Sequence, residues 1–165
     1  MRYLLGIGSN VDPEINVPRI LEALLETADR LDASRVVRTP PIGPIEGGDF
    51  LNLVVALESS HSLAELQPFW QSIETRLGRD REHPDRKRRS READIDHLLT
   101  LADGVRRLDA ADLPDEPFVR PALLELLQHL GIRHQAGRLP LPEGVPLRVA
   151  GRWIGERPTS LTAPG

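Results

Sequence analysis

Leu51, Leu53, Val55 and Leu57 recur at every second position of the run F-L-N-L-V-V-A-L-E, Phe50 to Glu58. Side chains alternate between the two faces of a strand, so these residues share one face while Phe50, Asn52, Val54, Ala56 and Glu58 take the other. An unbroken aliphatic face must be covered by another layer, and the odd face therefore belongs to a core. Neighbouring segments supply more strands and the cover. Tyr3 to Ile7 is a short apolar run that stops at the turn formers Gly8-Ser9-Asn10. Arg35 to Arg38 (R-V-V-R) is β-branched and runs into Thr39-Pro40-Pro41-Ile42-Gly43-Pro44, where prolines forbid regular pairing and leave a stiff loop. Between them, Asp12 as N-cap and Pro13 at the first helical position open a helix with Val17, Ile20, Leu21, Leu24, Ala28 and Leu31 on its apolar side. A second helix opens with the capping box Ser62-Leu63-Ala64-Glu65, buries Leu66, Phe69, Trp70, Ile73 and Leu77, and stops at Gly78. A last strand begins near Asp94.

The order across residues 1–100 is βαββαβ. It predicts an α+β, ferredoxin-like sandwich: an antiparallel sheet with both helices on one face and the other face open for a ligand. With 165 residues the chain has the length of a single domain spanning 1–165. Residues 101–165 read as a C-terminal extension packed on that core. Pro121 to Leu130 is helical up to Gly131, and the tail carries Pro140, Pro142, Pro146, Pro158 and Pro164 around the apolar piece Val145 to Val149, with a frayed end. Apolar runs are too short for a membrane span or a signal-peptide core, which leads to the expectation of a cytoplasmic protein without a membrane partner. The absence of cysteine excludes disulfides, thiolate metal sites and cysteine nucleophiles.

Net charge is −4, yet Arg76, Arg79, Arg81, Arg86, Lys87, Arg88, Arg89 and Arg91 crowd one segment. Such a patch on an acidic chain suits a polyanion, either a nucleic acid or a nucleotide triphosphate; a solvated loop is the plainer account. Immediately after it, Asp94 and Asp96 fall two apart in R-E-A-D-I-D-H-L-L, on one face of a strand, with Ala93, Ile95 and Leu99 on the other. Like charges so placed repel unless a cation or an arginine neutralises them. Magnesium prefers oxygen ligands and is usually held by one or two carboxylates plus substrate phosphates, so the acid pair beside an arginine-rich loop supplies both halves of such a site. Surface acids paired with neighbouring arginines account for the same residues without a metal.

Other signals are weaker. Gly8-Ser9-Asn10 between strand and helix could cradle an anion through backbone N–H groups, although the chain lacks the glycine-rich pattern of a P-loop. Phe50 and Asn52, on the open face, pair a flat ring with an amide that donates and accepts, a combination suited to a planar heterocycle. Gln71 and Glu74 lie one turn apart on a flank of the second helix, ordinarily a solvated position.

Together and in this order, G-I-G-S-N (6–10), R-T-P-P-I-G-P (38–44), D-F-L-N-L-V-V-A-L-E (49–58), I-E-T-R-L-G-R (73–79) and R-E-A-D-I-D (91–96) resemble the 6-hydroxymethyl-7,8-dihydropterin pyrophosphokinase family, which moves pyrophosphate from ATP to the pterin hydroxymethyl group in the folate pathway. The likeness runs from about Tyr3 to Leu99, and the proline loop joined to D-F-L-N is its most specific part. It implies catalysis centred on Arg91, Asp94 and Asp96, with two magnesium ions bridged between ATP phosphates and the two aspartates. It implies a pterin held near Thr39, Pro40, Ile42, Phe50 and Asn52, with Phe118 as a stacking phenylalanine. Gln71, Glu74, Arg88, Arg89 and Arg91 would form the nucleotide side. The implied transfer to an alcohol needs in-line attack on the β-phosphorus and phosphate charge offset by metal and arginine. Closure of the arginine loop over ATP would exclude water.

The likeness is incomplete. Where the family's loop reads Arg-Trp-Gly-Pro-Arg this chain has K-R-R-S-R (87–91), so the tryptophan that would cover the pterin is missing. The segment L-P-D-E-P-F-V-R-P (113–121) lacks the family's histidine and upstream arginine, for which Arg106, Arg107 or Arg120 is the candidate replacement. Two rival readings are a non-catalytic relative that binds a pterin or nucleotide, and an RNA-binding module of the same fold. A single aromatic on the open face, and acids where phosphate would lie, argue against nucleic acid.

Overall fold

Tyr3, Leu5 and Ile7 leave one side of strand β1 (Arg2–Ser9), Leu4 leaves the other, and each side is buried against a different layer. The computed structural model describes residues 1–137 and 139–163; Pro164 lies outside the described residues. In chain order β1 is followed by α1 (Pro13–Leu24), β2 (Arg30–Ala33), β3 (Val37–Thr39), β4 (Phe50–Glu58), α2 (Leu63–Arg76), β5 (Asp94–Leu101), β6 (Arg107–Leu108), α3 (Arg120–His129), β7 (Arg133–His134), β8 (Leu147–Val149), β9 (Arg152–Ile154) and β10 (Thr159–Leu161). The main sheet runs β10-β2-β4-β1-β5, β3 also pairs with β4, and all these pairings are antiparallel. α1 and α2 cover the face that carries Leu51, Leu53, Val55 and Leu57. The fold is the expected ferredoxin-like α+β arrangement.

The opposite face is only partly open. α3 lays Leu123, Leu126 and Leu127 over Leu4, Val54 and Ala56. The even residues of β4 therefore divide, Val54 and Ala56 under the helix and Phe50 with Asn52 at the uncovered end. A Val-Val-Ala stretch suits either setting, so only the packing of α3 distinguishes them.

Three local expectations change. α1 ends at Leu24, and Leu25–Thr27 continue as a tight 3-10 turn, so Ala28 and Leu31 lie beyond the helix. Leu31 reaches the core from β2 together with Ala33. Both periodicities fit Leu31, and pairing of β2 with β4 decides between them. The single strand expected at Arg35–Arg38 is two strands, interrupted where Ser34 N–H donates to the Val54 carbonyl and Ser34 Oγ accepts the Val54 N–H, both at 2.9 Å. Asp12 occupies the N-cap position in a left-handed conformation without a side-chain cap, whereas the Ser62–Glu65 capping box forms as expected. On β5 the register against β1 slips between Leu4 and Leu5, which pairs Leu99 with Leu4 and turns it to the α3 side instead of the Ile95 side.

The tail is more than a frayed appendage. Leu147, Val149 and Ile154 complete the core on the helical face, and Thr159–Leu161 joins the main sheet beside β2. Trp153 is exposed, while Trp70 is buried in the core as expected. The tail is fastened through Asp32, which is fully buried on β2. Its carboxylate accepts from Arg30 Nε and Nη2, each at 2.9 Å, and from Ser160 Oγ, with His129 Nε2 at 3.5 Å. Burial pushes its carboxyl up, but the hydrogen bonds from Arg30 and Ser160 and the charges of Arg30 and His129 outweigh burial and hold it below the ordinary range. A depressed folded-state value stabilises the fold above the unfolded carboxylate's pKa of about 3.9, and that stabilisation is lost as pH falls through the folded value. Asp32→Asn is expected to lower stability at neutral pH by about 2 kcal/mol and to flatten the acid limb of the stability profile. Urea denaturation of both proteins from neutral to acid pH checks this; an equal acid slope in the variant would refute it.

Candidate active site

At its uncovered end the sheet is floored by glycine. Gly8 pairs with Asn52 on β4 and with Asp94 on β5, and Gly6 pairs with Asp96. A Cβ on Gly8 would stand 2.6 Å from Asn52 Oδ1 and 3.6 Å from the Phe50 ring, so only glycine lets the amide and ring lie flat across β1. Asn52 Nδ2 donates to Thr39 Oγ1 at 2.6 Å, tying β4 to the start of the proline loop.

The residues expected at a pterin, Thr39, Pro40, Ile42, Phe50, Asn52 and Phe118, all line one cavity of about 110 Å³. Arg91, Asp94 and Asp96 line the same cavity, as does Ile45, which the sequence reading does not single out. An adjoining hollow of about 290 Å³ shares Asn52, Asp94, Asp96 and Phe118, rests on Gly6 and Gly8, and has Glu116 in its wall. Larger hollows of about 480 Å³ and 650 Å³ lie at the far end of the sheet and beside α3, and neither reaches the two aspartates.

The two aspartates share a face, as alternation predicts, but not an environment. Asp94 is largely buried and is paired with Arg79, with Arg91 Nη1 at 3.1 Å and with Arg81 Nη2 at 4.0 Å. Asp96 faces the solvent side of the cavity and makes no ion pair among the described residues. Desolvation by the surrounding walls and then the Asp94 charge push the Asp96 carboxyl above the ordinary range; Glu74 adds to this, and Arg79 and Arg81 oppose it. Neutralisation by arginines thus accounts for one acid and not for the other.

Behind Asp94 stands Glu74, which is 1% exposed and not on a solvated flank. Its carboxylate accepts from Arg81 Nε and Nη2, both at 2.7 Å, from Arg79 Nη1 at 3.4 Å, and from the Ile95 N–H at 2.9 Å. Arg79 Nη1 also donates to the Ala93 carbonyl at 3.0 Å. α2 therefore carries Glu74 to the edge of β5, where it holds the arginines that hold Asp94. From the sequence, Arg79 and Arg81 belong to a basic run, and Arg79 also closes the motif I-E-T-R-L-G-R, but neither is assigned a role at the site; the signal that singles them out is their place directly after the helix stop at Gly78. Gln71, one turn earlier, is exposed and lines neither cavity.

Arg91 is half-buried, and its Nε is buried without a hydrogen-bond partner among the described residues. Arg88 is exposed and Arg89 is half-buried in the same loop; neither lines either cavity, and neither has an ion pair among the described residues. The expected anion cradle at Gly8-Ser9-Asn10 does not form, because the Asn10 N–H donates to the Arg91 carbonyl at 3.0 Å and Ser9 completes β1. Arg106 lines the hollow at the far end of the sheet, Arg107 begins β6, and Arg120 donates to the Pro114 carbonyl and to Asp115. None of them replaces the missing arginine in either cavity.

Fold and site together define a small ferredoxin-like α+β protein with a cleft at the open end of its sheet, one wall aromatic and the other acidic and arginine-rich. The family model for 7,8-dihydro-6-hydroxymethylpterin-pyrophosphokinase (HPPK) matches residues 4–128, a span that includes every side chain of the cleft. The chain belongs to that family.

Proposed function

We propose that this chain transfers the pyrophosphoryl group of ATP to the hydroxymethyl oxygen of 6-hydroxymethyl-7,8-dihydropterin, a magnesium-dependent step of folate biosynthesis. The observation that carries this reading is the single cavity in which an aromatic and amide wall meets Asp94, Asp96 and Arg91. The pterin ring lies between Phe50 and Phe118 beside Pro40 and Ile42, with its amide and amine edge toward Asn52 and Thr39. Arg88, Arg89 and Arg91 face the phosphates, and the unpartnered buried Nε of Arg91 is a donor suited to a phosphate oxygen. Glu74 serves the nucleotide side indirectly, by holding Arg79 and Arg81.

Asp94 and Asp96 would hold the two magnesium ions that travel with the triphosphate. Their hard oxygen donors fit such ions, one carboxylate is unpaired, and no group of three or more metal-ligating side chains comes together among the described residues. That donor set suits a cation that completes its shell with waters and phosphate oxygens. Bound there, the ions offset phosphate charge. The protein's own part is positioning and charge. The hydroxymethyl oxygen attacks the β-phosphorus in line, the bridge to the α-phosphate breaks, AMP leaves, and the hydroxyl proton passes to solvent. Arg91 and its neighbours stabilise charge on the phosphate oxygens as it develops. This reading puts the protein among soluble metabolites in the cytoplasm, with no nucleic-acid partner; no helix among the described residues is long and apolar enough to cross a membrane.

Incubation with ATP, magnesium and the dihydropterin is expected to release AMP in proportion to pterin consumed. Binding of both ligands with no AMP above the pterin-free control would replace this reading with a non-catalytic binding protein. Phe118→Ala is expected to raise the KM for the pterin about tenfold while moving that for ATP less than about twofold, since a stacked ring is worth roughly 0.5–1.5 kcal/mol beyond its buried area.

A further inference from the structure

Where the smaller cavity meets the sheet, two polar side chains present a fixed order of donor and acceptor. β3 pairs Val37 with Asn52 and Thr39 with Phe50, so Thr39 and Asn52 stand diagonally on one face. Asn52 Nδ2 donates to Thr39 Oγ1 at 2.6 Å. The other end of the amide lies on Gly8, where a Cβ would stand 2.6 Å from Asn52 Oδ1. An oxygen tolerates the Cα hydrogens it meets there, whereas an amino group in its place would turn its own hydrogens onto carbon. Thr39 and Gly8 thus hold one of the two orientations open to an amide. Thr39 is itself preset: it precedes Pro40, which keeps its backbone extended, and its β-branch restricts the hydroxyl. Two hydrogen-bonding positions are left over. Among the described residues Asn52 Oδ1 accepts no hydrogen bond and the Thr39 hydroxyl donates none, and both residues line the cavity.

We propose that Thr39 is a specificity-determining residue that selects the lactam form of the substrate ring, a 4-oxo group beside a protonated N3, over a 4-amino ring. The proposal rests on the functional reading above, in that the pterin edge faces these two residues. Asn52 Oδ1 accepts from the N3–H, and the Thr39 hydroxyl donates to the oxygen at C4. A 4-amino ring has the reverse order: its N3 is an acceptor and its amino group a donor. Two lone pairs then meet at Asn52 Oδ1, and affinity falls because neither finds a hydrogen. An amide free to turn would escape the conflict by offering Nδ2 to N3. The Thr39 hydroxyl, by holding Nδ2, prevents that turn.

The test is calorimetric titration with two probes that differ only at C4, 6-hydroxymethylpterin and 2,4-diamino-6-hydroxymethylpteridine, each with magnesium and α,β-methylene-ATP present. The native chain is expected to bind the first about a hundredfold more tightly. In Thr39→Val, which keeps the β-branch and loses the hydroxyl, the preference is expected to fall below about tenfold, and in Thr39→Ser it stays within about threefold of native. A loss of packing alone would weaken both probes alike, so an unchanged ratio in Thr39→Val overturns the proposal. A native preference below about threefold overturns it as well. Binding of neither probe by the native chain counts against the functional reading instead, and NMR of the free protein then judges the amide clamp by itself. Exchange of the Asn52 side-chain amide hydrogens is expected to be about tenfold faster in Thr39→Val than in the native chain, and equal rates overturn the clamp. Should Thr39→Val not fold, Thr39→Ala takes its place in both measurements with the same expected results.

Discussion

Asp96→Asn is expected to lower turnover by on the order of a thousandfold while leaving the melting temperature within about 2 °C of native. The reasoning follows from the contrast between the two acids. Asp96 has no protein cation to lose among the described residues, and its charge is destabilised by desolvation and by Asp94, so a neutral isostere removes a repulsion from the resting protein. In the proposed reaction the same substitution removes a charged oxygen from the cations that offset the phosphates, and several kcal/mol of transition-state stabilisation correspond to two or three orders of magnitude in rate. Asp94→Asn should differ. It strips Arg79 and Arg91 of a partner, so activity and stability fall together. Steady-state AMP release and thermal melts on both variants check the pair; more than a tenth of native turnover in Asp96→Asn would end the assignment of that carboxylate to the reaction.

Glu74→Ala is expected to cost about 3–5 kcal/mol of folding stability, the range for removing one partner of a buried ion pair. Four donors converge on this carboxylate, from Arg79, Arg81 and the Ile95 backbone, and the side chain is almost wholly enclosed. Its loss leaves the Arg81 guanidinium and the Ile95 N–H without their hydrogen-bond acceptor at the edge of β5, while Arg79 keeps the Ala93 carbonyl and Asp94. Urea denaturation gives the number directly, and a loss below about 1 kcal/mol would mean that solvent replaces the carboxylate at no great cost. Glu74→Gln should recover part of the stability, because an amide oxygen still accepts from Ile95.

Much of this site was readable before any coordinates. The aspartates' shared face follows from β alternation alone, and Thr39, Pro40, Ile42, Phe50, Asn52 and Phe118 do converge on one cavity with them. What could not be read was which charges pair. A run of arginines carries no mark of partner: Arg79 and Arg81 bind Glu74, Arg91 binds Asp94, and Arg88 lends only its backbone to the proline loop. Gln71 and Glu74 have similar sequence surroundings, yet one is exposed and the other enclosed, because only Glu74 meets the edge of β5.

Periodicity and capping act over a few residues, so the strands, both main helices and the βαββαβ order were determined by sequence alone. The reach of α1 and the break between β2 and β3 were not, since Leu31 satisfies both a helical and an alternating pattern and only pairing with Val55 and Leu57 chooses. Coverage of part of the second sheet face by α3, the place of the tail in the sheet and the grip of Asn10 on the loops at Glu46 and Arg91 all join segments far apart along the chain. Such contacts depend on which surfaces can be buried against each other at the least desolvation cost, and that is decided only when the whole chain is packed.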